Sequence, residues 1–291
     1  MDSRELLKDI SKKLQKSESI SEPEMEARWI LERASGVDES AVIAGIEIEL
    51  EDAHQAFIES AVTRRLEGVP LAYILGEKEF YSLNFVVNPN VLIPRPESEH
   101  IVEEAIKWAK SNSVKSPRIL DLGAGSGCIG LAIAKNLDDS KLCSVDVSVE
   151  ALDVVDFNSK ALGLHDQSSM LFMQVEEMDH TDLPEFFEGK ADLVVANPPY
   201  IDETDPEIEE NVKKYEPATA LFADEEGYGA IRRWSKQLES IMAQKCLVLF
   251  EVGASQGQRS KEIFEDLGIF DKVEILKDYS GRERIIRAER S

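Results

Sequence analysis

The sequence predicts an α/β protein: a doubly wound, mostly parallel sheet of seven strands, preceded by a helical bundle and a β-hairpin connector. Three observations predict this fold. Short apolar runs alternate with helical patterns from about residue 118 onward, a glycine-rich segment follows the first run at Gly123, and only Tyr279–Arg282 separate the last two runs. Alternation of this kind is typical of a parallel sheet with helices on both faces.

Composition and charge restrict the possible partners. The chain has 291 residues, is 43% hydrophobic and carries a formal net charge of −24. A surface this negative repels a phosphate backbone, so we expect no direct nucleic-acid ligand. The negative charge is consistent with binding to a basic partner, and equally with a surface that only keeps the protein in solution.

No apolar run reaches the roughly 18 residues of a membrane-spanning helix, and the N-terminus lacks a secretory pattern. We therefore expect a cytoplasmic protein without membrane contact.

The cysteines and histidines argue against a metal site. Cys128, Cys143 and Cys246 are odd in number, lie in predicted strands or helices and lack the spacing of metal ligands. The four histidines are scattered along the chain. We expect core thiols and no metal ion.

Residues 1–68 are predicted to form a helical domain. Apolar residues recur at helical spacing from Leu6 to Leu14, and Ser21 with Glu24 has the pattern of a capping box at the start of the next helix. Because this region holds no cluster of titratable groups, docking is a more plausible role for it than chemistry.

Residues 69–94 are predicted to form a connector with a β-hairpin, and residues 95–291 the main domain. The hairpin would pair strands over 80–87 and 91–93 through a turn over 88–90. The main domain then opens with a helix and continues with the seven predicted strands. These strands lie near 118–122, 141–146, 170–175, 191–197, 245–252, 272–278 and 283–289. The last two must form an antiparallel hairpin because their connection is too short for a crossover helix.

The segment between the first strand and its helix is predicted to bind a cofactor. It consists of Gly123, Ala124, Gly125, Ser126 and Gly127. Such glycines allow a sharp turn and close approach of a ligand. The dinucleotide pattern would need a glycine at the next position, and a P-loop would need Gly-Lys-Ser/Thr. The observed spacing fits an S-adenosylmethionine loop better, with a plain tight turn as the alternative.

Asp146 ends the second strand, 19 residues after Gly127. A carboxylate at that position can accept hydrogen bonds from both hydroxyls of a ribose. The alternative is that Asp146 only caps the following helix. The glycine segment and the spaced acid together favour the cofactor.

The run Asn197-Pro198-Pro199-Tyr200 ends the fourth strand in a rigid polar tip. The prolines stiffen the backbone and remove two donors, while the Asn197 side chain offers an acceptor and a donor. Such a tip can grip an NH₂ group, with the Tyr200 ring against a planar amide or base. A stiff loop with Tyr200 in the core is the alternative. We expect this strand to lie beside the first, where the strand order reverses and a crevice opens.

Together these motifs resemble the class I, Rossmann-like S-adenosylmethionine-dependent methyltransferases that act on a planar nitrogen. Further segments make the chain similar to the HemK/PrmC family, the peptide chain release factor glutamine methyltransferases. These segments are Pro70–Gly76, Ile93–Glu99, Asn197–Ile201, Glu216–Leu221 and Gly281–Arg284.

The resemblance implies methyl transfer to the side-chain nitrogen of the glutamine in the Gly-Gly-Gln motif of class I peptide chain release factors, with S-adenosylhomocysteine as the other product. It implies that Gly123 to Gly127 and Asp146 hold the cofactor, with the adenine contact of relatives supplied by Glu176 or Glu177. It assigns Asn197, Pro198, Pro199 and Tyr200 to the substrate amide, with Asn197, Pro198 and Tyr200 as catalytic residues and Asn197 also beside the cofactor. The helical domain would dock the release factor.

Three alternatives stay open. A glutamine methyltransferase of a ribosomal protein would share the fold and the Asn-Pro-Pro-Tyr run. A nucleic-acid adenine methyltransferase would share that run too, but the acidic charge and the lack of a basic face oppose it. A binding module without activity would not need both Asp146 and the complete run.

Overall fold

The computed structural model describes residues 2–206 and 208–291, which form two compact units. One comprises the described residues up to Glu77 together with Glu210–Tyr215, and the other comprises those of Lys78–Glu209 and Glu216–Ser291. Glu210–Tyr215 belong to the first unit, whereas the sequence analysis placed them in the main domain over residues 95–291. The predicted division at residues 68 and 94 stays a prediction.

The helices and strands of both units alternate much as expected. The helices are α1 Ser3–Leu14, α2 Pro23–Ser35, α3 Glu39–Ala44, α4 Asp52–Leu66, α5 Leu71–Leu75, α6 Glu99–Ser111, α7 Cys128–Lys135, α8 Val149–Ala161, α9 Glu210–Tyr215, α10 Ala218–Leu221, α11 Gly229–Ser235, α12 Leu238–Ile241 and α13 Gly257–Glu265. The strands are β1 Glu77–Phe80, β2 Leu83–Val86, β3 Arg118–Leu122, β4 Lys141–Asp146, β5 Ser168–Phe172, β6 Ala191–Ala196, β7 Met242–Glu251, β8 Lys272–Lys277 and β9 Glu283–Arg290. Within the described ranges, no helix is long and apolar enough to cross a membrane.

The first unit is a bundle of α1 to α5 with α9, around its own apolar core. Ile10, Leu14, Ile30 and Leu31 are buried in it. The predicted capping box of Ser21 and Glu24 is wrong, because α2 begins at Pro23 and no side chain caps its first turn. Proline suits that position since its ring presets the helical φ and removes an N–H that would lack a partner.

The hairpin exists, but its predicted strands are wrong. The predicted strands over 80–87 and 91–93 and the turn over 88–90 are replaced by β1 and β2, joined by Tyr81 and Ser82. Tyr81 has φ 51° and Ser82 has φ 58°. A two-residue hairpin turn of type I′ needs positive φ at both positions and usually carries Asn-Gly, so this sequence lacked the usual turn residues.

The seven-stranded sheet confirms the predicted fold class. Its order is β5-β4-β3-β6-β7-β9-β8. β3 pairs in parallel with both β4 and β6, which confirms the expected neighbours at the reversal of strand order. β8 and β9 form the expected antiparallel hairpin. The predicted strand over 170–175 ends earlier, at Phe172, because Val175–Glu177 form a 3₁₀ turn that buries Val175.

The central strands are buried on both faces, which explains their unbroken apolar sequence. Leu120 and Val194 belong to the core on one face, and Ile119 and Leu193 to the core on the other. The three cysteines are free and buried, as expected for core thiols. The sheet is thereby a rigid support for the loops that follow its strands.

Candidate functional site

A cleft opens in the second unit at the carboxyl ends of the parallel strands. Its volume is about 330 Å³, and residues that follow β3, β4, β5 and β6 line it. β3 and β6 are the strands between which the order of the sheet reverses. Ligands of open α/β sheets bind at such a position.

The glycine segment after β3 folds as a tight loop. The N–H groups of Gly123 and Ala124 donate to the carbonyl oxygen of Val145, at 2.8 and 3.0 Å. Gly123 has φ 69°, in the region that favours glycine. A Cβ atom there would lie 2.6 Å from Cη2 of Trp234, whereas one at Gly125 would have no atom within 4 Å. The loop therefore packs tightly at Gly123 and leaves open space at Gly125.

Asp146 connects the end of β4 to this loop. Its Oδ2 accepts a hydrogen bond from the Gly125 N–H at 2.9 Å, and its Oδ1 accepts one from the Ser148 N–H at 2.9 Å. Burial raises the pKa of Asp146. The cap of α8 is the Ser148 hydroxyl, which accepts from the Ala151 N–H. Asp146 thus does more than cap a helix, and we call Gly123–Gly127 with Asp146 the glycine wall.

A second acid, Asp121, lies within β3 and is buried. Its Oδ2 accepts from the Gly130 N–H at 3.0 Å, which ties β3 to α7. Burial raises the pKa of Asp121 to about 7, and the negative charge of Asp146 acts in the same direction. Asp121 therefore contributes to the local electrostatics without lining the cleft described above.

Another part of the cleft lining, which includes Asn197 and Ser98, is organised by hydrogen bonds between side chains. Asn197 follows β6 and donates from Nδ2 to the Ser98 hydroxyl oxygen at 3.4 Å. The Ser98 hydroxyl donates to Oε2 of Glu251 at 2.5 Å, and the Tyr200 hydroxyl donates to Oε1 of the same carboxylate at 3.2 Å. We call Asn197–Tyr200, with Ser98 and Glu251, the asparagine wall; of these residues, Ser98, Asn197 and Pro199 line the cleft.

Glu251 is the buried centre of the asparagine wall. It is the last residue of β7 and is 1% exposed. Burial raises its pKa, while the hydrogen bond from Ser98 and the positive charge of Arg284 act against that rise. Burial also raises the pKa of Tyr200, and the neighbouring Glu251 charge adds to this effect. The raised pKa keeps the Tyr200 hydroxyl protonated, so it donates to Glu251.

An ion pair fixes another part of the cleft. Arg95 donates from Nη2 to Oε1 of Glu216 at 2.5 Å, and the Ile93 N–H donates to Oε2 at 3.1 Å. The Glu216 side chain is only 2% exposed. This bond joins two segments of the lining, one with Pro94 and Arg95 and the other with Pro217.

The structure brings most of the sequence-predicted residues to the cleft, though not all. Those that line it are Gly123, Ala124, Gly125, Ser126, Asp146, Glu176, Asn197 and Pro199. Within the described chain, the lining does not include Gly127, Glu177, Pro198 or Tyr200. Gly127 precedes α7, Pro198 is buried and Glu177 is exposed. Glu176 accepts a hydrogen bond from Nε of Arg233 at 3.1 Å.

Sequence reasoning missed Ser98, Glu251 and Arg284 as parts of this site. Only the predicted strand over 245–252 could have pointed to Glu251, since this acid stands at the carboxyl end of its strand as Asp146 does. The contacts of Ser98 depend on chain segments that are far apart in sequence. Ser98 and Arg284 lie in the family-like segments Ile93–Glu99 and Gly281–Arg284, but nothing in those segments indicates which residues they contact.

Comparison with known proteins places the chain in a family. The PrmC N-terminal domain matches residues 5–76, and the methyltransferase small domain matches residues 102–215. The release factor glutamine methyltransferase of Haemophilus influenzae is 32% identical over 296 residues, which cover 98% of each chain. That of Escherichia coli is 32% identical over 285 residues, again 98% of each chain.

The chain belongs to the release factor glutamine methyltransferase family. Among solved structures, a 16S rRNA N2 methyltransferase of T. thermophilus in complex with AdoMet and guanosine has a TM-score of 0.50. It is 16% identical, and the match covers 74% of this chain and 50% of that one, so this likeness concerns the fold alone. Family membership makes the chain a methyltransferase and implies S-adenosylmethionine as the methyl donor.

Proposed function

We propose that this chain transfers a methyl group from S-adenosylmethionine to the side-chain amide nitrogen of the glutamine in the Gly-Gly-Gln motif of class I peptide chain release factors. S-adenosylhomocysteine is the second product, and a cytoplasmic location fits this substrate. Membership of the family supports the choice of acceptor. The observation that carries the proposal at the site is the bond from Asn197 Nδ2 to Ser98, because it leaves the Asn197 carbonyl oxygen available to an incoming amide.

The glycine wall fits the methyl donor. Open space beside Gly125 allows a ligand to approach the backbone, and the Asp146 carboxylate lines the same cleft. Each Asp146 oxygen already accepts one backbone hydrogen bond and, as a carboxylate oxygen, has capacity for another. Asp146 would accept hydrogen bonds from the ribose hydroxyls. Glu176, on the same lining, is better placed than Glu177 for the adenine.

The asparagine wall fits an amide. The Asn197 side-chain oxygen and the Pro198 carbonyl oxygen would accept the two hydrogens of the glutamine NH₂ group, and Pro199 and Tyr200 would shape the pocket around it. Both prolines lack an N–H, so the run presents acceptors rather than competing donors. Two acceptors fix both the position and the orientation of the amide nitrogen.

The donor, when bound, supplies a methyl group on a positively charged sulfur, which is already a strong electrophile. The amide nitrogen is a poor nucleophile because its lone pair is delocalised. Positioning of reacting groups is worth up to ~7–11 kcal/mol in favourable intramolecular reactions. As the nitrogen becomes positively charged, the bonds to Asn197 and Pro198 strengthen and stabilise the transition state preferentially. The methylated nitrogen would then lose one of its two hydrogens as a proton to solvent water, which leaves a neutral N-methyl amide without the need for a protein general base.

The domain roles belong to the same proposal. Residues 1–68 would dock the release factor, residues 69–94 would connect, and residues 95–291 would carry out methyl transfer. The match of the first region to the PrmC N-terminal domain supports a role specific to this family.

Transfer of labelled methyl from S-adenosylmethionine tests the proposal. The acceptors are a purified class I release factor, the same factor with its Gly-Gly-Gln glutamine changed to alanine, ribosomes and duplex DNA. We expect label on the intact factor alone. Label on ribosomal protein or on DNA would overturn the choice of acceptor, and no transfer despite donor binding would support a binding module.

A further inference from the structure

We propose that Glu251 and Ser98 are positioning residues that fix the orientation of the Asn197 carboxamide, so that its carbonyl oxygen faces the acceptor amide. This inference rests on the proposed function of Asn197. It concerns two residues to which the sequence analysis assigned no role, Ser98 within the segment Ile93–Glu99 and Glu251 outside every quoted motif. Neither would touch the reacting atoms, since both would act through Asn197.

The direction of the hydrogen bonds follows from the chemistry of their members. An ionised carboxylate only accepts, so the Ser98 hydroxyl and the Tyr200 hydroxyl both donate to Glu251. The only hydroxyl hydrogen of Ser98 is then donated to Glu251, so towards Asn197 the Ser98 oxygen can act only as a hydrogen-bond acceptor. The Asn197 group that points to Ser98 must therefore be the NH₂ group.

A positively charged side chain on the neighbouring strand, β9, acts on the carboxylate of Glu251. Arg284 lies in β9, which pairs with β7, and its side chain is only 11% exposed. Burial raises the pKa of Glu251, and the positive charge of Arg284, like the hydrogen bond from Ser98, acts against that rise and favours the ionised form. Nε of Arg284 is buried without a hydrogen-bond partner among the described residues. Arg284 thus contributes charge close to Glu251, and its own ion pair is with Asp278 at 3.6 Å.

The alternative is that the buried polar cluster only stabilises the fold. Ser98 is 1% exposed, and its Oγ bridges a helical turn to β7, so some loss of stability is expected when it is removed. A purely structural role and a positioning role differ in one respect. If Ser98 acts through Asn197, its removal has no further effect on the rate once the Asn197 carboxamide is gone, because coupled residues are not additive.

The test is a double-mutant cycle of Ser98→Ala and Asn197→Ala. Single-turnover transfer of labelled methyl to the release factor is followed over hours, so that slow variants are measurable, and donor affinity is measured for each variant. Ser260→Ala is the matched control, because it too removes a fully buried hydroxyl, one without a hydrogen-bond partner in the described structure.

We expect Ser98→Ala to lower the single-turnover rate about ten-fold with donor affinity nearly unchanged, as the loss of one orienting hydrogen bond implies. We expect no further loss in the Asn197→Ala background and a wild-type rate for Ser260→Ala. An unchanged rate for Ser98→Ala, or an equal loss in both backgrounds, would overturn the positioning role alone. A normal rate for Asn197→Ala would instead overturn the proposed function of the asparagine wall.

Discussion

The glycine wall and the asparagine wall are built in different ways. In the glycine wall, the carboxylate of Asp146 holds backbone N–H groups, and its bond to Gly125 spans 21 positions of sequence. In the asparagine wall, side chains hold other side chains, and the bonds of Ser98 to Asn197 and to Glu251 span 99 and 153 positions. The glycine wall is formed by segments that are close in sequence and by hydrogen bonds to backbone N–H groups. The asparagine wall is formed by side chains from segments that are far apart in sequence.

Because the two walls are built differently, different kinds of substitution should disrupt them. A backbone loop packed at Gly123 is sensitive to added atoms, because a side chain needs both space and an allowed φ. A network of side chains is sensitive to the removal of a polar group, because each member then leaves its partner unsatisfied. The glycine wall should control donor affinity, and the asparagine wall should control the rate.

The largest expected effect comes from an added methyl group in the glycine wall. Gly123→Ala places a Cβ 2.6 Å from Trp234 at φ 69°, so it should lower the free energy of unfolding by about 2–4 kcal/mol. Gly125→Ala is the matched control, since it has φ 55° but no atom within 4 Å. It should cost about 1 kcal/mol and weaken donor binding instead.

Urea unfolding and donor titration of the two glycine variants make this comparison. Equal losses of stability would show that Trp234 does not restrict Gly123. Normal donor affinity in Gly125→Ala would show that the open space beside Gly125 is not used by the donor.

The next effect concerns pH and the buried acid beneath the glycine wall. The pKa of Asp121 is raised from 3.8 to about 7, so its contribution to stability is present below about pH 4 and is lost as pH rises through 7. Asp121→Asn removes this titration. The free energy of unfolding of the wild type should therefore fall relative to the variant between about pH 4 and pH 7, by on the order of a few kcal/mol, and should change no further above that range. Parallel curves for the two proteins would contradict this assignment.

The smallest effect separates two neighbouring acids. Glu176 lines the cleft, whereas Glu177 is exposed outside it. Glu176→Ala should weaken donor binding a few-fold, and Glu177→Ala should leave it unchanged. Stability should change by less than about 1 kcal/mol, because Arg233, the ion-pair partner of Glu176, is 40% exposed. Isothermal titration with S-adenosylmethionine distinguishes the pair, and a larger effect at Glu177 would reverse the assignment.

The sequence predicted the glycine wall more fully than the asparagine wall because the residues of the glycine wall lie closer together in the sequence. Gly123 to Gly127 form the loop after β3, and Asp146 ends the next strand, β4, so periodicity and spacing sufficed to predict that they lie close together. Asn197 was predictable from its own motif, but Ser98 and Glu251 join it only through the tertiary fold. The hairpin turn at Tyr81 and Ser82 was missed because its backbone conformation is imposed on residues that rarely adopt it.

The most direct test of this division of labour is a paired measurement of donor affinity and single-turnover rate for Asn197→Ala and Asp146→Asn. We expect Asn197→Ala to lower the rate by about 10²–10³-fold with donor affinity largely intact, as the loss of a group that stabilises the transition state implies. We expect Asp146→Asn to weaken donor binding about ten-fold or more, with a nearly normal rate at saturating donor. A rate for Asn197→Ala that saturating donor restores would contradict the account.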